Sequence, residues 1–231
     1  EQPMTKQQVA ELASYIEIGK MGMPIGKQDQ YASAFGGLNK IIFTSDGVTV
    51  EPLKVDSEVR RTLERRLMLF FTGSSRESTS ILKHQRKSTE ERDESVIQAL
   101  HNIKQVAVEV QACLERGDLD EFARLLDYSW QEKRRLAPGL STGFIDECYT
   151  LALKNGASAG KITGAGGGGF LLLYCQEEAQ DAVTKALEKH GLKRMNFRFD
   201  HQGASVVLNV ASFSPHWIAP YAEPEPQFQP R

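Results

Sequence analysis

Six consecutive residues, Gly164-Ala165-Gly166-Gly167-Gly168-Gly169, carry a single methyl group between them. Glycine loses more conformational freedom on folding than any other residue, so such a run demands a structural or chemical reason. Gly164, Gly166 and Gly169 satisfy G-x-G-x-x-G, but a dinucleotide site needs a strand, the glycine turn and then a helix. Here the run leads into Phe170-Leu171-Leu172-Leu173-Tyr174, a strand pattern. No Gly-Lys-Ser/Thr closes it, so a P-loop is excluded as well. What remains is a tight strand-to-strand connection whose bare backbone approaches a ligand or another loop closely and whose N–H groups can form an anion nest. A hairpin with a glycine bulge is the purely structural alternative. The consecutive glycines, with Lys161 and Thr163 just before them, favour a functional loop.

The rest of the chain reads as helices and antiparallel strands. Thr5 and Gln8 have capping-box spacing, and Val9, Leu12, Ala13 and Ile16 predict an amphipathic helix over Thr5–Lys20. Gly22, Pro24 and Gly26 break it, and a shorter helix follows from Lys27 to Phe35, closed by Gly36-Gly37. Ile41–Thr44 and Val48–Val50 flank the turn signal Ser45-Asp46-Gly47. After a charged stretch, Lys54–Arg66, comes a buried strand over Leu67–Thr72. Helices are predicted over Thr79–Gln85, Glu90–Arg116, Leu119–Arg135 and from an N-cap at Ser141 to Lys154. Ala159–Thr163 and Phe170–Tyr174 read as the strands around the glycines, Glu177–His190 as a helix, and Asn196–Asp200 and Ser205–Val210 as strands. The fold class is therefore α+β, with helices covering one face of an antiparallel sheet. From Ser214 onward, Pro220, Pro224, Pro226 and Pro230 among few apolar residues predict a disordered tail over 214–231.

Composition excludes several classes. With 28 basic and 30 acidic residues the formal net charge is -2, which argues against a nucleic-acid partner. Lys133-Arg134-Arg135 is flanked by acids and reads as a solvated helix face. Cys113, Cys148 and Cys175 are widely spaced, so neither a disulfide framework nor a zinc site is expected, and a reducing cytoplasm suits them. The five histidines show no ligand spacing, so no protein-held metal is expected. No apolar run approaches the roughly 20 residues that cross a bilayer, and no membrane partner is expected.

The segment Lys161-Ile162-Thr163 through the glycines to Phe170 resembles the third motif of the GHMP kinases. Gly26-Lys27-Gln28-Asp29-Gln30-Tyr31, with Phe35-Gly36-Gly37 beyond, resembles the region holding that family's catalytic aspartate. Two more segments, Phe70-Phe71-Thr72-Gly73-Ser74-Ser75-Arg76 with Ile81-Leu82, and Leu136-Ala137-Pro138-Gly139-Leu140-Ser141 with Ile145-Asp146, resemble the branch that phosphorylates D-glycero-D-manno-heptose 7-phosphate. The resemblance runs from Thr5 to Val210. It implies a two-lobed fold, with residues 1–65 the remainder of the N-terminal lobe and 66–213 a C-terminal lobe of antiparallel sheet covered by helices. It also implies transfer of the ATP γ-phosphate to an anomeric hydroxyl, with Mg²⁺ arriving on the nucleotide. A fucose- or galactose-type sugar-1-kinase is the nearest alternative. The family's first motif and its Pro-x-x-x-Gly-Leu-x-Ser-Ser phosphate loop do not occur in these residues. They are expected upstream of Glu1, and without them normal ATP binding is not expected. A remnant that binds a sugar phosphate or a protein partner without catalysis is the second alternative.

Asp29 is the expected catalytic residue. It falls in the first turn of a helix, where a carboxylate is favoured, and it can orient a sugar hydroxyl or accept its proton. Lys27, Gln28, Arg76 and Lys161 are the candidate contacts to substrate or phosphate; Arg76 in particular can clamp a phosphate bidentately. Gly164, Ala165, Gly166, Gly167, Gly168 and Gly169 form the candidate loop. Ser74 and Ser75 are read as caps, and Asp146 and Glu147 as surface acids of a helix.

Overall fold

Thr5 starts the first helix as its spacing implies: its hydroxyl accepts from the Gln8 backbone N–H, and the Gln8 side chain accepts from the Thr5 N–H at 2.8 Å. This computed structural model describes residues 4–73 and 79–207. The first helix, α1 (Lys6–Ser14), passes into a π-helical segment, Tyr15–Lys20, which the 3.6-residue apolar spacing did not announce. Helix α2 (Gln28–Phe35) ends at Gly36 in a positive-φ conformation. Strands β1 (Asn39–Thr44) and β2 (Gly47–Pro52) form the expected hairpin, with Ile41 opposite Val50. Ala10, Tyr31 and Ala34 form a small core with Val9, Phe35, Ile41, Val48 and Val50 around it.

The charged stretch is a helix, α3 (Ser57–Arg66), capped by Asp56. Its polar residues are the solvent face, and Val59 and Leu63, one turn apart, supply the apolar side. Strand β3 (Leu67–Phe71) follows directly. Beyond it come the two expected helices, the first running on to Glu90 and the second starting at Glu94. Helix α4 (Thr79–Glu90) stops, Arg92 adopts a φ of 57°, and the Asp93 carboxylate accepts from Ser95 and Val96 to begin α5 (Glu94–Arg116). Asp118 caps α6 (Leu119–Arg134). The cap of α7 (Gly143–Lys154) is Thr142, not Ser141; the Ser141 hydroxyl instead donates to Asp146 at 2.6 Å.

Strands β4 (Ala157–Ile162) and β5 (Phe170–Cys175) enclose the glycine run, so it is the strand-to-strand connection inferred from sequence. A short 3-10 turn leads into α8 (Gln180–Lys189), and β6 (Lys193–Met195) completes an antiparallel sheet of order β4-β5-β3-β6. Asn196–Asp200 is not a strand. Phe197 and Phe199 do turn to the core, but the Phe199 N–H donates to the Glu64 carboxylate at 2.8 Å, in place of a strand partner. Ser205–Val207 is not a strand either; positions 208–210 and the expected tail lie outside the described residues.

Alternation along β3 and β5 sends side chains to both faces of the sheet. Met68, Phe70, Leu171, Leu173 and Cys175 meet α7 and α8 in one core that includes the fully buried Trp130. Leu67 and Tyr174 join Leu63, Val106, Leu114, Leu125 and Leu126 in a second. Helices thus pack on both faces, not one, because α5 and α6 are long enough to reach past the sheet edge. All three cysteines are buried and unpaired, and burial pushes the thiol pKa of each upward.

Candidate active site

The glycine loop is tied to its surroundings through its backbone. The Gly167 N–H donates to the Leu140 carbonyl at 2.8 Å, and the Gly169 carbonyl accepts from the Thr72 N–H at 2.9 Å and from its hydroxyl at 3.0 Å. At its mouth the Thr163 N–H donates to the Phe170 carbonyl at 2.9 Å, extending the β4–β5 ladder by one bond. A Cβ at Gly166 would meet Leu140, and one at Gly167 would meet Ile81 and the Gly139 carbonyl. Two of the motif segments singled out in the sequence, around Leu140 and around Ile81, are therefore packed against the loop. Only residues without side chains fit between them.

Three charged side chains gather beside this loop. Asp29 lies exposed in the first turn of α2. Lys161 is the second-last residue of β4 and half-buried. Lys133, in the last turn of α6, is also half-buried, and its ammonium donates to the Gly164 carbonyl. Burial pulls the pKa of Lys133 down to about 8; the positive charge of Lys161 adds to the fall and the carboxylate of Asp29 opposes it. Burial likewise lowers the pKa of Lys161. Lys133 is thus in electrostatic reach of both other groups. Its place at a helix C-terminus, where cations are favoured, offsets part of the cost of burial.

Not every predicted contact joins this group. Lys27 lines a cleft of about 260 Å³ between α1 and α2 with Glu11, Tyr15 and Tyr31. Gln28 is exposed at the start of α2, and Arg76, with Ser74 and Ser75, lies outside the described residues. Asp146 is more than a surface acid, since it pairs with Arg134 at 2.9 Å as well as with Ser141. Its neighbour Glu147 faces His190 at 3.5 Å. The two Asp146 bonds join the end of α6 to the start of α7 and fix the loop that carries Leu140. Lys133 is the residue that sequence reasoning missed. It sits in a run of three basic residues, and only the direction of its side chain separates it from Arg134 and Arg135, which pair with Asp146 and Glu132. A signal was present all the same: the run lies at the end of an amphipathic helix, just before the Leu136–Ser141 motif.

Comparison with known proteins gives a consistent result. Residues 110–193 match the family model described as GHMP kinases C terminal. The D-glycero-alpha-D-manno-heptose 7-phosphate kinase of Campylobacter jejuni is 35% identical over 202 residues, covering 87% of this chain and 59% of that enzyme. The bifunctional fucokinase/GDP-fucose pyrophosphorylase of Arabidopsis thaliana is 28% identical over 74% of this chain and 16% of its own length. Among solved structures, a D-glycero-D-manno-heptose 1-phosphate kinase from Bacteroides thetaiotaomicron superposes with a TM-score of 0.66 at 31% identity, over 87% of this chain and 55% of that one. The chain therefore spans somewhat over half the length of the heptose-phosphate kinases it matches. These matches together identify residues 110–193 as a C-terminal domain of the GHMP kinases.

Proposed function

We propose that the protein is a sugar kinase that transfers the γ-phosphoryl group of ATP to the anomeric hydroxyl of D-glycero-D-manno-heptose 7-phosphate, giving the 1,7-bisphosphate. The observation that carries this reading is the gathering of Asp29, Lys133 and Lys161 beside a glycine loop that only bare backbone can occupy. The acceptor follows the D-glycero-alpha-D-manno-heptose 7-phosphate kinase of Campylobacter jejuni. In this role Asp29 orients the acceptor hydroxyl and takes up or directs its proton as the bond to phosphorus forms. The lysines face the negative charge of the phosphoryl group. Phosphoryl transfer depends chiefly on positioning and charge stabilisation, which such a set supplies.

Mg²⁺ enters bound to the nucleotide. The phosphates and water are its ligands there. The proposed division places residues 1–65 in the N-terminal lobe and 66–213 in the C-terminal lobe. What supports it is the separate small core around Tyr31; α3, which reaches the second core through Leu63, lies at the boundary. No helix among the described residues is long and apolar enough to cross a membrane. The buried, unpaired cysteines support a cytoplasmic setting.

A fucose-type sugar-1-kinase is the second reading, favoured by the Arabidopsis relative. ADP release from the full-length gene product, measured across heptose 7-phosphate, fucose and galactose, separates the two. The highest kcat/KM is expected with heptose 7-phosphate, and a preference for fucose would replace it as the acceptor. Asp29→Asn is expected to lower kcat by about 10²–10⁴-fold, the usual span for a positioned acid–base group.

A further inference from the structure

Half-buried ammonium groups are ordinarily matched by an acid, and most basic side chains around the site obey this. Arg134 pairs with Asp146 and Arg135 with Glu132. Lys133 and Lys161 do not. Among the described residues neither has a carboxylate within ion-pair distance, and the one polar contact, between Lys133 and the Gly164 carbonyl, neutralises nothing. Acids are not scarce, since the chain has 30 of them against 28 bases. The two lysines nevertheless lie close enough to repel each other, and only Asp29, from a third element, opposes Lys133. The three groups together leave one uncompensated positive charge.

A folded chain that holds two like charges together at a half-buried place, on a loop without side chains to cover them, is built for an anion. The ligand must accept from donors on two elements, α6 and β4. A phosphoryl group does so with separate oxygens, three of which share its negative charge. We propose that Lys133 and Lys161 form a two-lysine cradle that holds a phosphoryl group of the substrates next to Asp29. This rests on the kinase reading above and names the contacts of that site. Two sources supply such a group: the phosphate ester already on the sugar, and the γ-phosphoryl in transfer. Asp29 helps to tell the site from a mere cation patch. It opposes the effect of Lys161 on the Lys133 ammonium, and its own carboxylate stays free for a hydroxyl.

Calorimetric titration tests the cradle without turnover. Heptose 7-phosphate, the same heptose without its phosphate, MgADP and the magnesium complex of AMPPNP are titrated into the full-length protein and into its Lys133→Met and Lys161→Met variants. Each variant is expected to bind a phosphoryl ligand at least 10-fold more weakly. Weakening of heptose 7-phosphate but not of heptose assigns the cradle to the sugar phosphate; weakening of AMPPNP but not of MgADP assigns it to the γ-phosphoryl. Lys133→Arg is expected to keep most of the affinity, because the charge is kept. Affinities within twofold of wild type for every ligand would overturn the proposal. Folding of the variants does not limit the test. In wild-type protein carrying ¹³C-dimethylated lysines, the Lys133 and Lys161 resonances are expected to move, and their titration midpoints to rise, when a phosphoryl ligand is added. Resonances that ignore every ligand would equally overturn it. Acceptor-panel activity and phosphoryl binding are independent readouts, so the kinase reading and the cradle fail separately.

Discussion

A methyl group added at Gly166 would lie 2.7 Å from Leu140 Cγ and 2.9 Å from the Leu140 carbonyl oxygen, on a backbone with φ of +100°. Overpacking costs ~1–3 kcal/mol and left-handed backbone ~1–2 kcal/mol more, so Gly166→Ala is expected to lose several kcal/mol in urea unfolding. Gly164 has φ of +65° but open space around its Cβ position, and Gly164→Ala should show only the backbone cost of ~1–2 kcal/mol. Equal losses at the two positions would contradict the packing described. Lys133 makes a prediction of a different kind. Its pKa falls from 10.5 to about 8 on folding, so between those values the unfolded chain holds more protons than the folded one. Its contribution to stability is therefore unfavourable below pH 8 and is relieved as pH rises toward 10.5. The wild type minus Lys133→Met difference in unfolding free energy should shift in favour of the wild type between pH 7 and pH 10. For the same reason, affinity for a phosphoryl ligand should fall as pH rises through about 8. Lys161, Asp29 and the Gly164 carbonyl are the groups that face the Lys133 ammonium and set this balance.

Local chemistry made most elements readable. Thr5 with Gln8, the Asp-Gly turn between β1 and β2, and Gly117 after α5 are each followed by the structure their chemistry implies. The failures have local causes too. The break between α4 and α5 depends on Asp93 accepting from two backbone N–H groups, and it falls a few residues beyond the gap that the apolar spacing suggested. Asp93→Ala is expected to cost ~0.5–2 kcal/mol, as loss of an N-cap does, with the helical circular dichroism near wild type. Helix α3 was hidden by its charge, because only Val59 and Leu63 mark its inner side. Phe197 and Phe199 mimic a strand in sequence, yet the Phe199 N–H donates to the Glu64 carboxylate in place of a strand partner. Asp29, Lys161 and the glycine loop stood out as candidates because each sits in a distinctive local pattern. Lys133 was not, since its role depends on which way one side chain in a basic run turns.

Across the whole molecule the cores are unequal. The core around Tyr31 is small, and Leu12, Tyr15, Ile16, Met21 and Met23, all in the same N-terminal part, are exposed. The cores around Phe70, Trp130 and Tyr174 enclose the sheet. Stability follows buried apolar area, so amides of α1 and α2 are expected to exchange with deuterium well before those of β3 and β5. Similar protection in both regions would contradict that order. The division of labour between the cores could not be read from composition, because apolar residues are spread along the chain and only the fold sorts them.

The glycine loop is anchored to Leu140, Thr72 and the ends of two strands. A segment already so fastened has little freedom left to surrender when a ligand arrives. The entropy of ordering must then fall on the long side chains of Lys133 and Lys161 and on the more thinly packed part that carries Asp29. Binding should accordingly be felt as a stiffening of the N-terminal helices, while the loop stays as it was.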